Sequence, residues 1–156
     1  ADPIAAMAQA DCPIALITTG TVADPKGLTA SAVCSLSADP PSIVVCVNKS
    51  ARAHDALLPN QSFGVNFLGA GQGELATQFT QKNVDRFAGQ DWTTLATGAP
   101  ILKSALVAFD CRVHVLADGF SHSIVIGLVH RLLWDGSERD AGLIWHRRRF
   151  CRAIEL

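Results

Sequence analysis

Four short hydroxyls, Thr29, Ser31, Ser35 and Ser37, stand in one stretch, GLTASAVCSLSADPP, from Gly27 to Pro41. Each can donate and accept a hydrogen bond. Their spacing of two, four and two puts all four on one face of an extended strand. Gly, Ala and Ser fill nearly half of the stretch, so little bulk keeps a flat ligand from the backbone. Ala30, Ala32, Cys34 and Leu36 are predicted on the opposite face, toward the core. An ordinary solvent-facing strand of Ser and Thr has the same alternation, so the pattern alone leaves both readings open. Asp39-Pro40-Pro41 ends the strand, because Pro lacks an N–H and fixes its φ.

A second constellation is Asn48-Lys49-Ser50-Ala51-Arg52. It falls at a strand end and a helix start, where Ser50 is the expected N-cap. Backbone N–H groups at a helix start, with Ser, Lys and Arg beside them, suit an anion such as a phosphate. A capped helix with solvated charges has the same composition. Arg86 is a further candidate cation. Of the five histidines, His122 lies at a loop edge beside Gly119, where ligand contacts concentrate. His114 and His130 fall inside strands.

Several chemistries lack their residues. No HExxH, HxH or His–carboxylate spacing supports a metal site, and no GxSxG elbow supports a serine hydrolase. The five cysteines have no CxxC pair and are expected as buried thiols in a reducing cytoplasm. Residues 71–76, GQGELA, match a dinucleotide fingerprint, with Asp91 beyond them. The motif also needs a following parallel strand, and residues 83–94 hold no apolar run for one. Its glycines are expected at a strand-to-helix turn. Arg147-Arg148-Arg149 is expected as a solvated charged face. Trp92, Trp134 and Trp145 are expected as packing residues or dimer anchors.

These residues need elements to hold them. The chain has 156 residues, 49% hydrophobic and 17% charged. That bounds it to one globular domain, residues 1–156, with a real core. A net charge of -1 gives no electrostatic case for nucleic acid or an anionic membrane. No apolar run approaches membrane-spanning length, and no secretory leader pattern opens the chain. Strands are predicted over 13–19, 42–48 and 62–68, with long alternating runs over 104–116 and 122–134 and short ones near the end. Residues 24–27 are expected as a hairpin turn. Helices are predicted over 51–58 and 74–80. Residues 82–100 form a long excursion with little regular pattern, the kind usually tied to function or a partner. Antiparallel hairpins and few crossover helices favour a β-barrel with peripheral helices.

The order PIALITTG, KGLTASAVCSLSADPPSIVVCVNKS, FGVNFL, LATQF, GAPIL, SHSIVIGLV and LIWHRRRF resembles the short-chain flavin reductases across about residues 7–150. The resemblance implies a six-stranded antiparallel split β-barrel, and hydride transfer from NADH or NADPH to FMN or FAD. It implies a homodimer that supplies reduced flavin to a partner oxygenase. Carried over by motif, Thr29, Ala30 and Ser31 line the flavin ring. Ser35, Leu36, Asn48, Lys49, Ser50 and Arg52 hold the ribityl chain and phosphate, and Arg86 closes on the phosphate. The family's frequent Gly-Asp-His is here Gly119-Phe120-Ser121-His122, so His122 keeps the nicotinamide contact while the Asp is absent. No side chain is expected to act as a nucleophile. Phe87, Trp92 and Ile101 are expected to be uncovered in a lone barrel, placing the excursion at the dimer interface. The alternatives are a flavin-retaining reductase of a corrinoid or metal chelate, and a non-catalytic flavin or haem module.

Overall fold

The apolar and alternating runs form strands where their pattern predicts them. The computed structural model describes residues 2–138 and 140–156. After a short helix α1 (Pro3–Met7) come β1 (Cys12–Pro13), β2 (Ala15–Gly20), β3 (Pro25–Ala30), β4 (Val33–Ala38) and β5 (Pro41–Asn48). Helix α2 (Arg52–Asn60), β6 (Ser62–Phe67) and α3 (Gly73–Gln78) follow. The excursion carries only β7 (Trp92–Thr93), which pairs with β8 (Ile101–Leu102). The chain ends with β9 (Val107–Gly119), β10 (His122–Leu133), β11 (Leu143–His146) and β12 (Arg149–Arg152). Among the described residues, no helix is long and apolar enough to cross a membrane.

The main sheet is antiparallel throughout, in the order β3-β2-β6-β9-β10-β5-β4. All seven strands send side chains into one apolar cluster, from Ile17 and Leu28 through Val45 and Phe63 to Val125. Ala53 and Leu57 of α2 close its end. β3 returns against β5, so six strands close around the core and β4 extends past them. Gly127 in β10 makes room for the core's largest ring: a Cβ there would meet Phe63 at 2.4 Å.

The sheet therefore has seven strands where six were expected, and the reason is local. The single strand predicted over Gly27–Ala38 is broken by a bend at Ser31-Ala32 into β3 and β4. The bend shifts the alternation by one residue. Leu28 and Ala30 are buried before it and Val33 after it. Cys34 consequently faces out, and a bulge between Ser35 and Ser37 leaves Leu36 exposed on the edge strand. The first hairpin turn lies at Thr21–Asp24, closed by the Asp24 N–H on the Thr21 hydroxyl, three residues earlier than expected.

The excursion packs on the outer face of β2 as a second core. Ile101 is fully buried there, and Phe79, Phe87 and Trp92 form a ring cluster with centroids 4.7–5.9 Å apart. Ile101 is thus covered by its own chain, while Phe87 and Trp92 are only half-buried and Val84 of the excursion is 46% exposed. Large exposed apolar groups sit also on the β9–β10 hairpin and the β4 edge: Phe120 at 91% exposure, Leu116, Val115 and Leu36.

Buried polar groups pin the excursion. Asp110 of β9 accepts from the Ala96 and Thr97 N–H groups at 2.7 and 2.8 Å, and from the Thr97 hydroxyl. Asn66 of β6 donates to the Leu16 carbonyl and accepts from the Leu102 N–H, while Thr18 donates to the Pro100 carbonyl. Among the described residues all five cysteines are free thiols, and only Cys111 is buried. Burial, then the neighbouring Asp110, pushes the Cys111 thiol up to about 12.

Asp110→Ala strands two backbone donors and a hydroxyl. It is expected to cost roughly 3 kcal/mol, the range for losing bonds to a charged acceptor. Urea denaturation of both proteins measures it, and a loss under about 1 kcal/mol would show that the loop is held by its apolar contacts alone.

Candidate functional site

Three segments converge on a cleft of about 640 Å³: the start of β3, the start of α2 and residues 81–87 of the excursion. Lys26, Arg52, Lys82 and Arg86 all line it. The near wall follows from how α2 begins. Its N-cap is Ala51, which makes no side-chain cap bond. Ser50, the expected cap, is spent elsewhere: its hydroxyl and its N–H both donate to Asn48 Oδ1, at 2.8 and 2.9 Å. The first turn of a nine-residue helix thus meets the cleft beside Arg52 with no side-chain cap bond, and its one acidic group, Asp55, lies 3.1 Å from the His54 ring. Partial positive charge from the helix start adds to that of the guanidinium.

The far wall is built by Arg86. Its Nη1 donates to the Gly27 carbonyl at 2.7 Å and its Nε to the Gln81 carbonyl at 3.0 Å. Gln78 fixes the same loop by donating to the carbonyls of Asp85, Arg86 and Ala88. Burial, and next the charge of Arg52, lower the pKa of Arg86 from its ordinary value. Two guanidiniums are therefore held close enough to repel, across a cleft that an anion would relieve.

His122 opens β10 at the same end of the barrel. It pairs in register with Asn48, and the Lys49 N–H donates to the Ser121 carbonyl at 3.0 Å. The His122 ring meets the Ser121 hydroxyl at 2.8 Å through Nδ1. Phe120 and Ser121 make a two-residue hairpin turn, with Phe120 at positive φ. The Lys49 ammonium pairs with Asp118 and holds that carboxyl below its usual range.

Of the residues singled out in sequence, Ser50, Arg52 and Arg86 line the cleft, with Asn48 and His122 beside it. Lys49 spends its charge on Asp118. The Thr29 hydroxyl donates to the Ala76 carbonyl at 2.7 Å, which ties β3 to α3, and Ala30 is in the core. Ser31 is half-buried at the bend between β3 and β4. Ser35 lies opposite Ile43. That is five residues along β5 from Asn48, roughly 17 Å of strand at about 3.4 Å per residue. Ser35 and Leu36 therefore do not join the cleft.

Sequence reading missed Lys26 and Lys82. Lys26 lies in a segment expected as a turn, and Lys82 opens the excursion four residues before Arg86, which was the available signal. The segment 71–76 runs from the turn after β6 into α3, and the strands on either side belong to a wholly antiparallel sheet, so no βαβ unit exists among the described residues. Among the described residues no three His, Cys, Asp or Glu side chains gather as a metal site.

A family model described as Flavin reductase like domain matches residues 7–153. FMN reductase (NADH) RutF 2 of Methylorubrum extorquens is 43% identical over 129 residues, covering 81% of this chain and 75% of the relative. Streptomyces globisporus C-1027 NADH:FAD oxidoreductase SgcE6, in complex with NAD and FAD fragments, superposes with a TM-score of 0.89 at 29% identity. It covers 97% of this chain and 91% of that one. A homologue of nitrilotriacetate monooxygenase component B from Mycobacterium thermoresistibile gives a TM-score of 0.89 at 30% identity, covering 96% and 83%.

The cleft depends on close approach at Gly27. A Cβ there would meet Phe79 at 2.7 Å, Phe87 at 3.0 Å and the Ile17 carbonyl at 3.1 Å. Gly27→Ala is expected to destabilise the protein by about 1–3 kcal/mol through overpacking. An unchanged denaturation midpoint would mean that the ring cluster shifts freely and does not fix the far wall.

Proposed function

This chain belongs to the flavin reductase like domain family, and on that premise we propose an NADH:flavin oxidoreductase that reduces FMN or FAD for a partner oxygenase. The observation that carries the reading is the cleft between the α2 start and Arg86. Its donor set fits the phosphate of a flavin nucleotide: a helix start with no side-chain cap, and Arg52 and Arg86 on opposite walls. Lys82 adds positive charge at the rim, where Lys26 is paired with Asp24 at 2.8 Å. Anchoring of Arg86 by two carbonyls keeps its fork in place before any ligand arrives.

Both cofactors, when bound, would supply the chemistry themselves, transfer of a hydride (two electrons with one proton) from nicotinamide to flavin. The protein's part is to position and to exclude water. Ser31 at the bend is assigned to the flavin ring, with the backbone of Thr29 and Ala30 beside it. Asn48 and Ser50 set the loop that joins the phosphate cleft to His122. His122, oriented by Ser121, is assigned to the nicotinamide. The family match over residues 7–153 supports one domain. Exposed Leu36, Val115, Leu116 and Phe120 support a homodimer through the β4 edge and the β9–β10 hairpin. Five free thiols support a cytoplasmic setting.

The test is NADH oxidation with free FMN or FAD, followed at the nicotinamide band. Steady turnover is expected, and none with either flavin, from NADH or NADPH, would overturn the reading. His122→Ala is expected to raise the KM for NADH about tenfold while flavin affinity stays within about twofold, the effect of one lost positioning bond. Loss of flavin binding with an unchanged KM would move His122 to the other ligand.

A further inference from the structure

The phosphate cleft does not end at the excursion loop. Gln81, Val84 and Asp85 also line a second, shallower hollow of about 720 Å³, bounded by α3 on one side and Phe150 on the other. The chemistry changes across that shared strip. The first cleft carries four cations, one of them Lys26 paired with Asp24, against the shared Asp85, whereas among the described residues the second carries Glu74 and Asp85 and no cation. A phosphate is disfavoured there.

Phe150 gives the hollow an aromatic wall. Trp145 packs against its ring with centroids 5.0 Å apart. A Cβ on Gly73 would lie 3.5 Å from the same ring, so the ring is already held over the start of α3. It nonetheless keeps 41% exposure. A base has a π-face that stacks on such a ring. Carboxylates are suited to accept from the paired hydroxyls of a ribose, as acidic residues do in dinucleotide sites, and from an exocyclic amine.

We propose that this hollow is an adenosine subsite, joined to the phosphate cleft by the strip Gln81–Asp85. Phe150 stacks the base, and Glu74 and Asp85 face the ribose hydroxyls. The proposal rests on the flavin reductase reading and deepens it: the site takes a dinucleotide. Two dinucleotides carry the same adenosine, FAD and NADH, and the measurement separates them.

Dissociation constants for FMN and FAD, and KM values for NADH and reduced nicotinamide mononucleotide, are compared in the wild type, Phe150→Ala and Glu74→Ala. If the adenosine is that of FAD, the FAD-to-FMN ratio of dissociation constants rises about tenfold in Phe150→Ala, the size of one lost stacking contact. If it is that of NADH, the ratio of the two KM values rises instead. Glu74 is exposed, and Ala is a stronger helix former, so the second variant folds whatever the first does. It is expected to move the same ratio in the same direction. Both ratios unchanged within twofold in both variants overturns the proposal. So does uniform loss of all four ligands in Phe150→Ala with normal ratios in Glu74→Ala. The binding arm needs no turnover, so a wild type that binds FAD but oxidises no NADH would count against the reductase reading and not against the subsite.

Discussion

Everything at the candidate site depends on tying a long irregular segment to the outside of a barrel. Residues 82–100 have almost no backbone ladder of their own, and Asp110, Asn66 and Thr18 supply the missing partners from strands of the barrel. All three are fully buried. Buried polar groups are costly unless bonded, so Asp110 and Thr18 hold the segment at residues 96–100 and Asn66 holds Leu102 just beyond its end. The ring cluster of Phe79, Phe87 and Trp92 then fills the gap between loop and α3. Arg86 sits immediately before Phe87, and reaches the Gly27 carbonyl because this packing leaves it no other register.

The consequence is electrostatic. A chain of net charge -1 gathers Arg52, Lys82, Arg86 and an Asp24-paired Lys26 with a helix start on one cleft, against the single carboxylate of Asp85. Local arrangement therefore does what overall charge does not. Burial of Arg86 disfavours its charge most, and the charge of Arg52 adds to that. Such an arrangement is stable because carbonyls satisfy the guanidinium, and it is relieved by an anion bridging the two walls. The opposite edge of the site is quieter: the ion pair of Lys49 and Asp118 straps the loop after β5 to the β9–β10 hairpin and sets His122 beside Asn48.

Much of this was legible in the sequence. Alternation and β-branched runs located β2, β5, β6, β9 and β10, because burial on one face or two leaves a direct periodic trace. The Asn48–Arg52 segment and Arg86 were legible because anion chemistry needs those residue types near a helix start. What was not legible is where the period breaks. A bend at Ser31-Ala32 inverts the faces of everything after it, so Cys34 and Leu36 went to the core in the sequence and to solvent in the structure. Nothing in small residues announces such a bend. Ser50 has the type of an N-cap, yet Asn48 competes successfully for its hydroxyl. Phe87, Trp92 and Ile101 seemed uncovered because their partners on α3 and β2 are distant in sequence. Lys26 carried no pattern until the fold brought it to the cleft, and Lys82 carried only its place four residues before Arg86.

The central claim is that this basic cleft holds the phosphate of a flavin nucleotide. Binding of FMN and of riboflavin, which differ only in that phosphate, tests it most directly when measured side by side in the wild type and in Arg52→Ala. At low ionic strength the wild type is predicted to bind FMN at least about tenfold more tightly than riboflavin, the effect of a charge-assisted contact. Added salt and Arg52→Ala should each narrow that gap. Equal affinity for the two ligands, or a gap that survives Arg52→Ala undiminished, would contradict the account.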